Sequence, residues 1–253
     1  MAELRKIVSF LDEALNVKEI KDDSLNGLQF QGAPQVSKIA CAVDACTTSF
    51  KKAVDGGAQM VLVHHGFLWS RKPIQPFRGS FKKMLGILFE NDLSAYAAHL
   101  PLDLHAEHGN NAVLCRLLGV RNKRLWGAYD AVALGYWGEL LCTESLFSIA
   151  RKLSSSLCFS PKILAYGKQR VKRIGVVSGG GGFAVQEAAD LGLDLFITGE
   201  VKQHEAVLAR DLELSVIAAG HYATETLGVK AAAGLLQKKF GVKTFFVDAP
   251  TGV

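Results

Sequence analysis

The sequence predicts an α/β protein of two interlinked α/β units, with mainly parallel sheets covered by helices and a repeat relation between the units left open. Two observations carry this. Apolar runs at residues 60–63, 95–98 and 216–219 stop abruptly in polar groups, as buried strands of such sheets do. Each half also reads strand, helix, strand: 38–43, a helix from Thr47, then 61–63; and 173–177, a helix from Phe183, then 195–198. Crossovers of this kind imply parallel neighbours.

Taken in order, the opening residues 1–11 mix charges into an apolar pattern and lack a cleavage site, so they read as an amphipathic helix and not a signal peptide. Residues 93–98 add a strand to the first half, and 214–219 do the same for the second. Sliding the chain against itself at one constant offset aligns Ile39 with Ile174, Ala53 with Ala188, Asp55 with Asp190 and Gly57 with Gly192. The stretch 126–170 has weaker periodicity and is expected to connect the halves, and 244–248 reads as a final strand. The expected units are 1–125, carrying His64, His65 and Asp103, and 126–253, carrying His221 and Glu225.

Composition narrows the function. A chain of 253 residues that is 49% hydrophobic and 21% charged is an ordinary globular protein. No apolar stretch reaches the roughly 18 residues that suggest a membrane span. Five cysteines, odd in number and without CxxC spacing, argue against disulfides and a thiolate zinc site and fit a reducing cytoplasm. The net charge of +5 is spread along the chain, compatible with an anionic small-molecule substrate and not demanding nucleic acid.

The polar residues that end the strands form the candidate site, because open α/β sheets bind ligands beyond the carboxyl ends of their strands. Neighbours on a strand point to opposite sides. His64 and His65 are therefore placed to hold one ion each, provided the strand end turns both toward the crevice. His221 and Glu225 share a helix face at i, i+4, and Asp103 can bridge two cations. Nitrogen and oxygen donors suit Zn, Fe or Mn. The plainer readings are a hydrogen-bonded histidine pair, a solvated helix face and a turn cap after Pro101; the joint placement past buried strands favours metal.

Other residues are less defined. His99 reads as a ligand, a proton shuttle or a group orienting Asp103. His105 and His108 read as turn or cap residues. Glu200 takes the place in the second half that His65 holds in the first, which makes it the natural general base. The loop 178–182, Ser-Gly-Gly-Gly-Gly, either presents amides to a phosphate or makes a permissive turn. Residues 67–73 read as a cationic lid or a surface loop.

The motifs VHHGFLW (63–69), HLPLDLHAEHGNN (99–111), SGGGG (178–182), ITGE (197–200) and AGHYATE (219–225), with Asn26-Gly27-Leu28-Gln29 before them, span nearly the whole chain. In this order they resemble the Nif-three-like dinuclear-metal family, also described as GTP cyclohydrolase I type II homologues. The HLPLD form looks like its compact bacterial branch, without the inserted domain of longer members. The resemblance implies two metals held by His64, His65, Asp103, His221 and Glu225, and assembly as a homohexameric toroid. The expected function is a dinuclear metal-dependent hydrolase for a small anionic or nucleotide substrate, with Glu200 or His99 moving the proton. The alternative is a non-enzymatic metal-binding or regulatory scaffold; a ring that threads nucleic acid is a third reading.

Overall fold

The computed structural model describes residues 1–70, 76–130 and 132–252. In chain order it begins β1 (Ala2–Glu3), α1 (Leu4–Ala14), β2 (Gly27–Phe30), β3 (Gln35–Val36), β4 (Lys38–Asp44), α2 (Thr47–Asp55), β5 (Met60–His65), α3 (Gly79–Glu90), β6 (Ser94–Ala97) and α4 (Leu100–Leu104). Then follow α5 (Asn110–Leu118), β7 (Arg121–Tyr129), β8 (Val132–Ser145), α6 (Leu146–Leu157), β9 (Lys162–Leu164) and β10 (Arg170–Val177). A short 3-10 turn (Gly181–Ala184) leads to α7 (Val185–Asp190), β11 (Leu195–Thr198), α8 (Gln203–Asp211), β12 (Ser215–Ala218), α9 (His221–Phe240) and β13 (Lys243–Phe246).

The chain forms two compact units, Met1–His105 with Gly228–Thr251, and Ala106–Leu227. In the first, the described residues make a five-stranded sheet of order β13-β4-β5-β6-β2. Its strands are parallel except β2, which runs antiparallel to β6. Helices α2 and α3 cross over between successive strands, as parallel pairing requires. Phe50 and Ala53 of α2 and Met84 and Leu88 of α3 pack on Ala40, Ala42, Val61, Val63 and Ala95. A large apolar side chain buried this fully contributes about 1.5–3 kcal/mol.

In the second unit the sheet order is β7-β8-β10-β11-β12-β9 among the described residues. Strands β10, β11 and β12 are parallel, whereas β7, β8 and β9 are antiparallel to their neighbours. Leu114 and Leu118 of α5, with Leu146, Ile149 and Leu153 of α6, cover Ile174, Val176, Leu195 and Ile197.

The equivalences read from the self-comparison do matching jobs in each unit. Ile39 opens the pairing of β4 with Met60 of β5, and Ile174 opens that of β10 with Leu195 of β11. Gly57 (φ 72°) and Gly192 (φ 64°) both turn the chain after a helix in the left-handed region. There Ala58 donates to the Ala53 carbonyl and Leu193 to that of Ala188, both at 3.0 Å.

The division of the chain differs from the expected boundary at residue 125. Strand β13 pairs in parallel with β4, so the carboxyl-terminal segment builds the first unit, while α5 belongs to the second. Residues 126–170 likewise do more than connect: they supply β8, α6, β9 and the last four residues of β7 to the second unit. Their weak periodicity has a physical cause, since β7 is an edge strand with exposed residues at both ends. Among the described residues no helix is long and apolar enough to cross a membrane.

Candidate metal centre

In the first unit, β5 ends in His64 and His65, and its end carries both rings to one side, with centroids 4.6 Å apart. His64 is fully buried, and its Nδ1 lies 3.0 Å from the Ala98 carbonyl. A carbonyl can only accept, so Nδ1 carries a proton. Asp103 Oδ2 stands 3.6 Å from the His64 Nε2. His65 Nδ1 is 2.8 Å from Asp44 Oδ1. His99 Nδ1 is 3.0 and 3.1 Å from the two oxygens of Asp22.

One ligand nitrogen from each of His64, His65 and His99 lies within 4.8 Å of the others. Clustered imidazoles with an adjacent carboxylate are the donor set that borderline divalent ions take, so these residues fit a metal. The first turn of α4 brings Asp103 there. His99 N donates to Asn26 Oδ1 at 2.7 Å and Leu100 N to Asp22 Oδ2 at 2.9 Å. Pro101 costs no bond in that turn because its nitrogen has no proton to leave unpaired.

In the second unit, Gly220 (φ 90°) turns β12 into α9, whose first residue is His221. The HxxxE spacing places Glu225 one turn on, with Oε1 3.1 Å from His221 Nε2. Glu200 Oε2 is 3.4 Å from His221 Nδ1. The hydrogen bond to Glu225 holds the His221 proton, burial opposes it, and the charges of Glu225 and Glu200 add to it; the result is a pKa of about 9. Glu200, expected as a base, therefore also orients His221.

The glycine loop packs against these carboxylates. Ser178 N donates to Asn111 Oδ1 at 2.7 Å and Gly179 N to Thr224 Oγ1 at 3.0 Å, while the Gly179 carbonyl accepts from Glu200 N at 3.0 Å. A Cβ on Gly179 would strike the Glu225 carboxylate, and one on Gly182 would strike Glu205. Two of the loop's amides are already engaged, and flanking carboxylates oppose an anion. The close-packed turn is therefore the better reading of the two.

Asp22, Asp44, Asn111 and Thr224 did not emerge from the sequence. Asp44 obeyed the rule that found the others, since it ends the apolar run of β4. Within the expected lid, Phe67 N and Leu68 N donate to Gln29 Oε1 at 2.9 and 3.2 Å; Arg71, Lys72 and Pro73 lie outside the described residues.

A family model described as Duf34/NIF3 (NGG1p interacting factor 3) matches residues 2–251. The chain belongs to the Duf34/NIF3 family. It is 46% identical over 252 residues to a "GTP cyclohydrolase 1 type 2 homolog" of Pyrococcus abyssi, covering 99% of this chain and 100% of the relative. A protein of the same name from Pyrococcus horikoshii is 49% identical over 249 residues, 98% of each chain. The crystal structure of TTHA1606 from Thermus thermophilus superposes with a TM-score of 0.91 at 37% identity, covering 100% of both chains. The Duf34/NIF3 membership confirms the resemblance carried by the motifs, and the mixed α/β fold agrees with it.

Proposed function

We propose that the protein binds two divalent metal ions, Zn, Fe or Mn, and hydrolyses a small anionic or nucleotide substrate. His64, His65 and Asp103 of the first unit, with His221 and Glu225 of the second, are the proposed ligands. The observation that carries the reading is the histidine cluster of the first unit, with ligand nitrogens within 4.8 Å and Asp103 3.6 Å from His64. Each of these imidazoles has its Nδ1 against an oxygen acceptor, the outer arrangement that metal-binding histidines use.

Metal ions bound there would lower the pKa of water and polarise the bond under attack. Glu200 is the proposed proton acceptor: its side chain is 45% exposed, so a substrate can reach it, and the contact with His221 fixes its direction. His99 is the second candidate for moving a proton. The name shared by the relatives makes GTP the first substrate to try, with water attacking the imidazole-ring carbon of guanine. Assembly as a homohexamer in the cytoplasm completes the proposal, and light scattering checks the assembly.

The test is hydrolysis of a nucleotide panel by the metal-loaded protein before and after chelation. Chelator-sensitive turnover supports the reading and names the substrate class. Two bound metals with no turnover on any nucleotide favour the regulatory scaffold. Glu200→Gln is expected to keep the metals and lose turnover; unchanged turnover would remove Glu200 as the base.

A further inference from the structure

We propose that the basic end of the second unit's sheet, built from β7, β8 and β10, binds single-stranded nucleic acid through its phosphate backbone. The inference is independent of the metal reading.

The sequence disperses its positive charge, but the sheet gathers two runs of it. Residues 121–124 (Arg-Asn-Lys-Arg) begin β7 and residues 170–173 (Arg-Val-Lys-Arg) begin β10. Both strands run antiparallel to β8, which lies between them, so both runs arrive at the same end of the sheet. Arg124 stands across from Trp137 of β8, and Trp137 across from Gly175 of β10, two residues past Arg173, so all of these share one face. The Arg124 guanidinium lies 5.3 Å from the centre of the Trp137 ring, and that of Arg173 lies 5.0 Å from it. Coming from strands on either side of β8, the two guanidiniums flank the indole about 10 Å apart. Stacking on an aromatic ring restrains a guanidinium and leaves its donors free. Arg173 uses one of them on the Gly192 carbonyl at 3.3 Å.

The neighbouring carboxylates do not neutralise this charge. Asp194 is engaged by Lys168 at 2.6 Å and by the amides of Lys172 and Arg173, and Glu144 is engaged by Lys152 at 2.6 Å. Glu139 stands in register with Arg121 and Arg173, yet among the described residues it forms no ion pair with either.

Two observations favour nucleic acid over an acidic peptide. The guanidiniums are aligned across the strands, whereas a peptide added at the open β7 edge would run along them. At the far end of β7, Tyr129 (47% exposed) meets Phe183 (37% exposed) with ring centres 5.3 Å apart. These rings stand about 17 Å along the strand from Arg124. Cations beside exposed aromatic rings suit a single strand, since bases stack on the rings while the backbone follows the charge. Arginines flank Trp137, so stacking falls to Tyr129 and Phe183, and binding is expected to be insensitive to sequence.

The experiment measures fluorescence anisotropy of a labelled oligothymidylate of about twelve nucleotides with the full-length chain over a salt series. Wild type is expected to bind, with affinity falling steeply as salt rises. Arg124→Gln with Arg173→Gln should weaken binding at least about tenfold and flatten the slope of log K against log salt by about 1.4. Lys82→Gln with Lys83→Gln, the same change in net charge on the first unit, should leave binding unaltered. Tyr129→Ala should weaken it roughly fivefold or more, and Glu139→Gln should strengthen it. Circular dichroism checks that each variant folds. No binding by wild type at low salt, or equal losses in the arginine and lysine variants, would overturn the inference. Should the arginine variant not fold, Glu139→Gln decides alone, and no gain in affinity would sink the idea. Polyglutamate competing as well as the oligonucleotide would assign the surface to an acidic protein instead. A changed oligomeric state in the arginine variant, with oligonucleotide binding intact, would assign it to a second copy.

Discussion

Glu225 Oε1 lies 3.1 Å from His221 Nε2 across one turn of α9, and this contact makes His221 hold its proton up to a pKa of about 9. A metal ion must displace that proton to bind the imidazole. Zinc binding near pH 7 is therefore expected to release at least one proton per chain. Calorimetry in buffers of different ionisation enthalpy measures it, and the release should shrink above pH 9. No buffer dependence would show that His221 is not displaced.

The same contact gives the metal-free protein a pH signature. The His221 pKa is raised above its ordinary 6.5 by Glu225, so the stabilisation is full below pH 6.5 and disappears as pH rises through about 9. Thermal unfolding in chelator should show wild type losing stability across this window relative to His221→Gln. Glu225→Gln should flatten the slope.

Gly179→Ala combines a left-handed backbone (φ 61°) with a collision against the Glu225 carboxylate. Gly119 shares the backbone conformation (φ 73°), but a Cβ there would meet nothing within 4 Å. Gly119→Ala is expected to cost about 1–2 kcal/mol, the strain alone. Gly179→Ala should cost visibly more in urea titrations and should weaken zinc binding, which Gly119→Ala should leave intact. Equal costs would mean that the loop yields and does not brace Glu225.

Asn111, 1% exposed, donates to the Leu134 carbonyl at 2.8 Å and accepts from Ser178 N at 2.7 Å. Removing it leaves two buried backbone groups unsatisfied, at about 1–3 kcal/mol each. Asn111→Ala should therefore lose about 2–6 kcal/mol in chemical denaturation, while Asn111→Asp, which keeps the acceptor for Ser178, should lose less of the loop's order.

The strands and their polar ends were legible because burial on both faces writes a continuous apolar run that has to stop where the crevice begins. That signal found His64, His65 and His221, and the same rule applied to 38–43 would have found Asp44. Asp22 was not legible: it lies in an aperiodic turn, and its partner His99 is distant in sequence. Asn111 was hidden similarly, its partners Leu134 and Ser178 lying on other elements. The unit boundary was missed because an apolar pattern marks 244–248 as a strand without saying which sheet it joins. Hydrogen bonding to β4 decides that.

Metal content per chain, measured by elemental analysis after reconstitution and gel filtration, tests the central claim most directly. Two divalent ions per wild-type chain are expected, with the content falling in a folded His64→Ala, His65→Ala variant. No metal above background in wild type, or two ions retained by the variant, would contradict it.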